Sequence, residues 1–307
     1  MNVPHSFRAM AVVSLLGATP TTAKAAAQQC CHKAVAVPAA QSEKHMLFRV
    51  RAPNGATVFL LGSVHLLSAE AGKLPPVVDS VFDRARTVAF ETSFDSLQVH
   101  GMELMIRGRY TNGATLRSTL SPAGVAQLDS LLKTYGLGID QVNGFKPWFV
   151  SLLLMQTVMQ RANFQAQYGV DVQLNTRAHA ANKTIIGLEP VQMQLGMFDA
   201  ISTADQERMV LQSSGPDSSS RVLMRIKDAW STGDVGALDN LLNQGLKDVP
   251  SLFAKLVTER NLAWIPKIED LVKSNSDALI VVGAGHLVGK QGVVELLRAK
   301  GYLVDQM

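Results

Sequence analysis

Apolar residues change texture along this chain. Toward both ends they come in short, β-branched runs of strand length, at 47–51 (LFRVR), 57–61 (TVFLL), 87–91 (TVAFE), 279–282 (LIVV) and 302–304 (YLV). Pro53-Asn54-Gly55 between the first two predicts a hairpin, because Asn-Gly readily takes the φ > 0 backbone of a tight turn between strands. In the middle of the chain they recur instead at helical spacing, over 124–134, 147–160, 170–181, 191–200, 219–230 and 235–242. Turn signals at Asn112-Gly113, Ser121-Pro122, Gly136 and 213–220 separate these stretches. One strand-like run, 184–188 (TIIGL), interrupts that region. Helical spacing also marks 74–86, begun by Pro75-Pro76, and 256–273, and it resumes at Gln291. The pattern predicts an α/β protein whose mixed sheet is formed by the two ends of the chain, with a large helical insertion at about 97–245 laid over it.

Composition adds compartment rather than fold. A chain of 307 residues with 47% apolar content can bury a sizeable core, expected here as one domain over 45–307. Residues 1–25 read as an export signal: Arg8 gives the positive start, 9–18 (AMAVVSLLGA) the apolar stretch and Ala23-Lys24-Ala25 the small-x-small cleavage pattern. That stretch is too short for a stable membrane anchor, so the expectation is a periplasmic or secreted protein. Residues 26–44 form an Ala/Gln/Pro-rich linker. It carries the only cysteines, the adjacent Cys30 and Cys31, which close almost no loop and leave the core to rely on packing. The formal charge of +4 comes without any Lys/Arg run or basic stripe with interleaved aromatics, which argues against a nucleic-acid partner.

Four of the strand-like runs lead into ionisable side chains. Two end in the same spelling, Gly62-Ser63-Val64-His65 and Gly283-Ala284-Gly285-His286, and two end in carboxylates, Glu91 and Glu189. Glycines at such strand ends are expected to let the backbone take positive φ and come close to a ligand. In open α/β sheets the crevice outside the carboxyl ends of the strands is where ligands sit, so neighbouring strands would bring two imidazoles and one or two carboxylates together. That set suits a divalent metal such as zinc, manganese or cobalt, with water in its open positions and a non-ligand carboxylate as general base. Plainer roles compete with this one. Either histidine can be a hydrogen-bonded turn residue, and Glu91 and Glu189 can cap the segments that follow them or pair with Arg260.

Gly62-Ser63-Val64-His65, Phe90-Glu91-Thr92, Lys146-Pro147-Trp148, Tyr168-Gly169-Val170-Asp171, Gly187-Leu188-Glu189, Glu259-Arg260-Asn261 and Gly283-Ala284-Gly285-His286-Leu287 together resemble the motifs of the TraB/GumN family, to which the Tiki-type metalloproteases belong. The resemblance runs in the right order from about residue 45 to the carboxyl terminus. It implies a fold similar to the erythromycin-esterase and ChaN-like proteins and a site built from the two GxxH histidines and a glutamate. In the Tiki branch such a site hydrolyses peptide bonds with a divalent metal. Carried over, His65 and His286 take the metal or catalytic role with Glu91 beside them. Gly62, Gly283, Gly285, Glu189 and Arg260 border the bound group, and Asp171 is a motif member without an assigned role. Pro190 departs from the Thr found in many relatives.

Two function classes follow. One is an exported metal-dependent hydrolase, most naturally a peptidase, with a peptide or protein substrate. The other is a binding protein of the same fold that holds haem, a metal or a peptide without turnover, since ChaN-like relatives are associated with haem. A serine nucleophile at Ser63 or Ser93 is a weaker third, because neither sits in a GxSxG elbow. His5, His32, His45, His100 and His179 read as solvated or packing residues. Met155 with Met159 and Met193 with Met197, one helical turn apart, read as core filling, with an adaptable apolar cleft as the lesser reading.

Overall fold

Six strands form one mixed sheet in the order β4-β3-β5-β2-β1-β6. They are β1 (Leu47–Arg51), β2 (Thr57–Ser63), β3 (Thr87–Phe90), β4 (Thr184–Gly187), β5 (Ala278–Gly283) and β6 (Leu303–Gln306). The computed structural model describes residues 43–52, 55–274 and 277–307, without the side chains of 95–101. The expected leader, most of the linker with Cys30 and Cys31, Pro53-Asn54 and the His100 side chain lie outside the described residues.

The two chain ends share the sheet, as the pattern of apolar runs predicts. β5 lies between β3 and β2 and runs parallel to both, β4 extends the parallel set from β3, and β1 is antiparallel to β2 and β6. β5 is buried along nearly its whole length, which is why it reads as an unbroken LIVV run rather than an alternating one. The hairpin is present: Leu47 pairs with Leu61 and Arg51 with Thr57, and Gly55 sits at φ +87. Ser63 pairs with Gly283, and Phe90 with both Val281 and Gly187. The carboxyl ends of β2, β5, β3 and β4 therefore finish along one edge of the sheet.

Helical chain fills the long connections on both sides of β4, from Phe94 to Ala180 and from Val191 to Lys273. The helix Glu259–Lys273 matters most for the site. Arg260, Asn261, Trp264, Ile265, Ile268 and Val272 are its buried residues, recurring at helical spacing, so the inward face is polar in its first turn and apolar below. A wide π-helical turn, Ala254–Thr258, runs directly into it, and such turns are frequent beside functional sites. Lys146-Pro147-Trp148 opens a different helix. There Trp148 stacks on Phe198 with ring centroids 4.8 Å apart, within a second apolar cluster with Phe149, Ile201, Val249 and Leu252, which gives that motif a packing role. The methionine pairs split: Met159 and Met197 pack inward, whereas Met155 and Met193 are exposed.

Candidate functional site

Four side chains singled out by their strand ends, together with Arg260, meet at the carboxyl edge of β2, β5, β3 and β4. A Cβ placed on Gly283 would lie 3.1 Å from Glu91 Oε1, 3.6 Å from His65 Nε2 and 3.7 Å from His286 Cδ2, so the two rings and the carboxylate surround that one backbone position. Gly283 has φ −52, an ordinary value, so its contribution is the missing side chain and not the left-handed backbone expected from the motif. Gly62 and Gly285 have no positive φ either. The absent Cβ of Gly62 faces Ala284 and Met46, and that of Gly285 faces Asn243 and Leu242. Both allow close packing of neighbouring segments.

His65 is held from one side. Its Nδ1–H donates to Asp171 Oδ2 at 2.5 Å, because a carboxylate can only accept, and this leaves Nε2 free toward Gly283. Asp171 reaches it from the first turn of the helix Val170–Ala180. Gly169 brings that helix so close that a Cβ there would collide with the His65 carbonyl. The Asp171 charge raises the His65 pKa to about 9, against the opposing effect of burial. The His65 side chain is 57% exposed, so water weakens that pull without reversing its direction.

His286 is held from both sides. Asn261 donates Nδ2–H to the backbone carbonyls of His286 (3.2 Å) and Gln291 (2.8 Å), which fixes its Oδ1 as the acceptor for His286 Nδ1–H at 2.7 Å. The lone pair left on Nε2 accepts from Arg260 Nη1 at 3.0 Å. Burial pushes the pKa of this imidazole down to about 4, Glu91 opposes the shift, and the Arg260 and His65 charges add to it. His286 is neutral at physiological pH.

Arg260 ties the carboxylates together. Its Nη2 donates to Glu91 Oε2 at 2.7 Å and to Glu189 Oε1 at 2.5 Å, and its Nε donates to both oxygens of Glu189. Trp264 Nε1–H completes Glu189 at 3.0 Å. Glu189 is therefore the buried partner of Arg260, the plainer of the two roles its sequence position allows. Glu91 takes the Gly283 N–H on Oε1 at 2.7 Å, and Gln194 Nε2–H on Oε2 at 3.1 Å. Burial alone would raise the Glu91 pKa; His286, then Arg260 and His65, together with the Gly283 N–H, bring it down to about 2.

The metal expected from the family resemblance can be tested against these donors. His65 Nε2 is free and its opposite nitrogen is held by a carboxylate, the arrangement a metal-ligating imidazole uses. His286 Nε2 and Glu91 Oε2, however, both face the Arg260 guanidinium, and His286 Nε2 is 4.0 Å from Glu91 Oε1. Among the described residues no group of three His, Cys, Asp or Glu side chains is placed to hold a metal ion. The donor set does not fit a divalent ion while Arg260 keeps its seat. Ser63, the candidate nucleophile, is 3% exposed, and its Oγ makes no hydrogen bond among the described residues, so no base stands ready to activate it.

Asp171, Asn261, Gln194 and Trp264 belong to the site without having been assigned a role from the sequence. Two of the four sit in motifs, Tyr168-Gly169-Val170-Asp171 and Glu259-Arg260-Asn261, and that was the available signal.

An α/β sheet with a buried Glu–Arg–His cluster and one accessible histidine at its strand ends defines the class of protein. The chain belongs to the TraB/PrgY/gumN family, whose profile it matches over residues 46–306. It is similar to the uncharacterized protein YbaP of Escherichia coli (strain K12), 23% identical over 253 residues that cover 80% of this chain and 89% of that protein. It is also similar to an uncharacterized protein of Treponema pallidum (strain Nichols), 23% identical over 289 residues, covering 87% of this chain and 85% of that one. No solved structure matches.

Proposed function

We propose that this protein is an exported hydrolase of peptide bonds in which His65, steadied by Asp171, moves the proton. The observation that carries the reading is the pairing of a fixed Nδ1–H with an accessible Nε2 beside Gly283, next to a buried cation. Neutral His65 accepts a proton from water at Nε2 as the water oxygen attacks the peptide carbonyl carbon. The imidazolium then returns that proton to the leaving amine as the C–N bond breaks. Asp171 stabilises the charged imidazole between the two steps. Glu91 is ionised and accepts hydrogen bonds on both oxygens, which suits it to hold Arg260 and the Gly283 turn in place rather than to act as the base. His286 is the neutral acceptor that orients Arg260.

The test is hydrolysis of casein or a peptide library by the wild type, His65→Ala and Glu91→Gln, each checked for folding. Loss of about a hundredfold or more on His65→Ala in folded protein is expected. Because the base must be neutral, kcat/KM rises with pH through the raised His65 pKa, so it is half-maximal on the alkaline side of 6.5 and reaches its plateau above that point. No cleavage by wild type under any condition removes the enzyme reading in favour of binding without turnover. A metal-dependent version of the reaction, in line with the Tiki branch, requires Arg260 to give up His286 and Glu91, and metal content measured alongside turnover separates the two versions. Export rests on residues 1–25, and its check is whether the mature protein begins near Ala26 and fractionates outside the cytoplasm. Among the described residues no helix is long and apolar enough to cross a membrane.

A further inference from the structure

We propose that Arg260 is the resident cation of this site, seated where a divalent ion bridging Glu91 and His286 has to bind, so that metal and guanidinium compete for the same two side chains. Zinc and its neighbours bond imidazole nitrogen and carboxylate oxygen at about 2.0–2.2 Å. Arg260 Nη1 is 3.0 Å from His286 Nε2 along its only lone pair, and Nη2 is 2.7 Å from Glu91 Oε2. An ion reaching those atoms displaces the guanidinium or lies against it, charge on charge, in a largely buried cluster.

Arg260 is not free to step aside. Glu189, 5% exposed, is bonded by Arg260 Nε and Nη2, the guanidinium lies over the Trp264 ring at 4.9 Å, and Nη1 also donates to the Leu256 carbonyl at 3.3 Å. Moving it leaves Glu189 buried with only the Trp264 N–H. Asn261, its neighbour on the same helix, holds His286 in the tautomer that presents Nε2 to a donor. Arg260 is thus a positioning residue that acts through Glu91 and His286, and the helix Glu259–Lys273 supplies both the cation and the tautomer that receives it.

Substitution turns this into a measurement. Chelator-treated protein is titrated with Co2+ and followed by calorimetry and by visible absorption, which reports nitrogen and oxygen ligation. Wild type and Arg260→Lys are expected to take up no stoichiometric Co2+. Arg260→Met frees His286 and Glu91 to join His65, so it gains one equivalent with affinity raised by about tenfold or more, and adding His286→Ala removes the gain. If Arg260→Met alone fails to fold, Arg260→Met with Glu189→Gln removes the stranded charge and serves in its place. A wild type that binds one equivalent of Co2+ lost on His286→Ala overturns the proposal, as does a folded Arg260→Met protein with no gain. A purely structural Arg260 predicts lower stability with unchanged metal uptake. None of these readouts uses turnover, so peptide hydrolysis can fail while this proposal stands.

Discussion

His65 and His286 each stand three residues beyond a glycine, just past the ends of neighbouring parallel strands, His286 in the short helix Ala284–Leu287. Their surroundings are opposites. Asp171 gives His65 a negative partner at an exposed rim and raises its pKa, whereas Asn261 gives His286 a neutral partner in a buried place, where burial and the Arg260 charge lower it. One motif thus yields one imidazole that readily holds a proton and one that refuses it. The strand end delivers the ring, and the helix packed against it sets the charge. Asp171 and Asn261 come from different helices, Val170–Ala180 and Glu259–Lys273, so the two states can be changed separately.

The largest effect is expected on the buried side. Glu189→Ala removes one of the two carboxylates that hold Arg260 away from water and leaves its Nε unpaired, and is predicted to cost about 3–5 kcal/mol by urea unfolding, with less from Glu189→Gln, whose amide oxygen can still accept. A loss under 1 kcal/mol from Glu189→Ala contradicts a buried ion pair at that position. On the exposed side, Gly169→Ala drives a methyl into the His65 carbonyl and is predicted to cost about 1–3 kcal/mol while pulling Asp171 from His65.

Changing the partners sharpens the contrast without breaking the fold. Asp171→Asn should bring the His65 pKa down toward 6.5, and Asn261→Asp should raise that of His286 above 4, both read by NMR titration of the ring protons. Unchanged titration in either variant means that something other than these partners sets the two states.

The smallest effect is on the pH dependence of stability, and its sign differs for the two rings. His286 has a folded pKa near 4 against 6.5 unfolded, so the unfolded chain binds more protons between those values and stability falls as pH drops from 6.5 toward 4. His65 is raised instead, so its contribution is complete below 6.5 and is lost as pH climbs toward 9. Glu91, lowered from 4.5 to about 2, extends the acid loss further down. Thermal melts across pH should therefore peak near 6.5, with a flatter alkaline limb in Asp171→Asn.

Much of the sheet and four of the ionisable groups at its edge were legible in the sequence, because short apolar runs that stop at a charge state both the strand and what it delivers; Arg260, on a helix, was marked only by its motif and as a candidate partner of the glutamates. What was not legible depended on how helices dock. Asp171 looks like any acid in a first helical turn, favoured there by the helix dipole, until the turn lands on His65 from 106 positions away. Gly62 and Gly285 carry the motif yet serve packing against Met46, Ala284 and Leu242, and only Gly283 faces the side chains. Helical periodicity also runs through 235–242 and 256–273 without revealing the π turns Asp239–Asn243 and Ala254–Thr258, since one extra residue per turn barely disturbs an apolar pattern.

The position of β5 sets the order in which the protein can assemble. This central strand joins β2 to β3, with Phe59 against Leu279 and Thr87 against Ala278, yet a ribosome makes it after every helix that connects β3 to β4 and β4 to β5. Until it emerges, β2 and β3 have no common neighbour and the edge that carries His65, Glu91 and His286 has no floor. Pairings this distant form late and slowly, so before β5 is made the sheet can exist only as two separate pairs, β1 with β2 and β3 with β4. The six-stranded sheet is complete only when β5 joins the two pairs and β6 closes on β1.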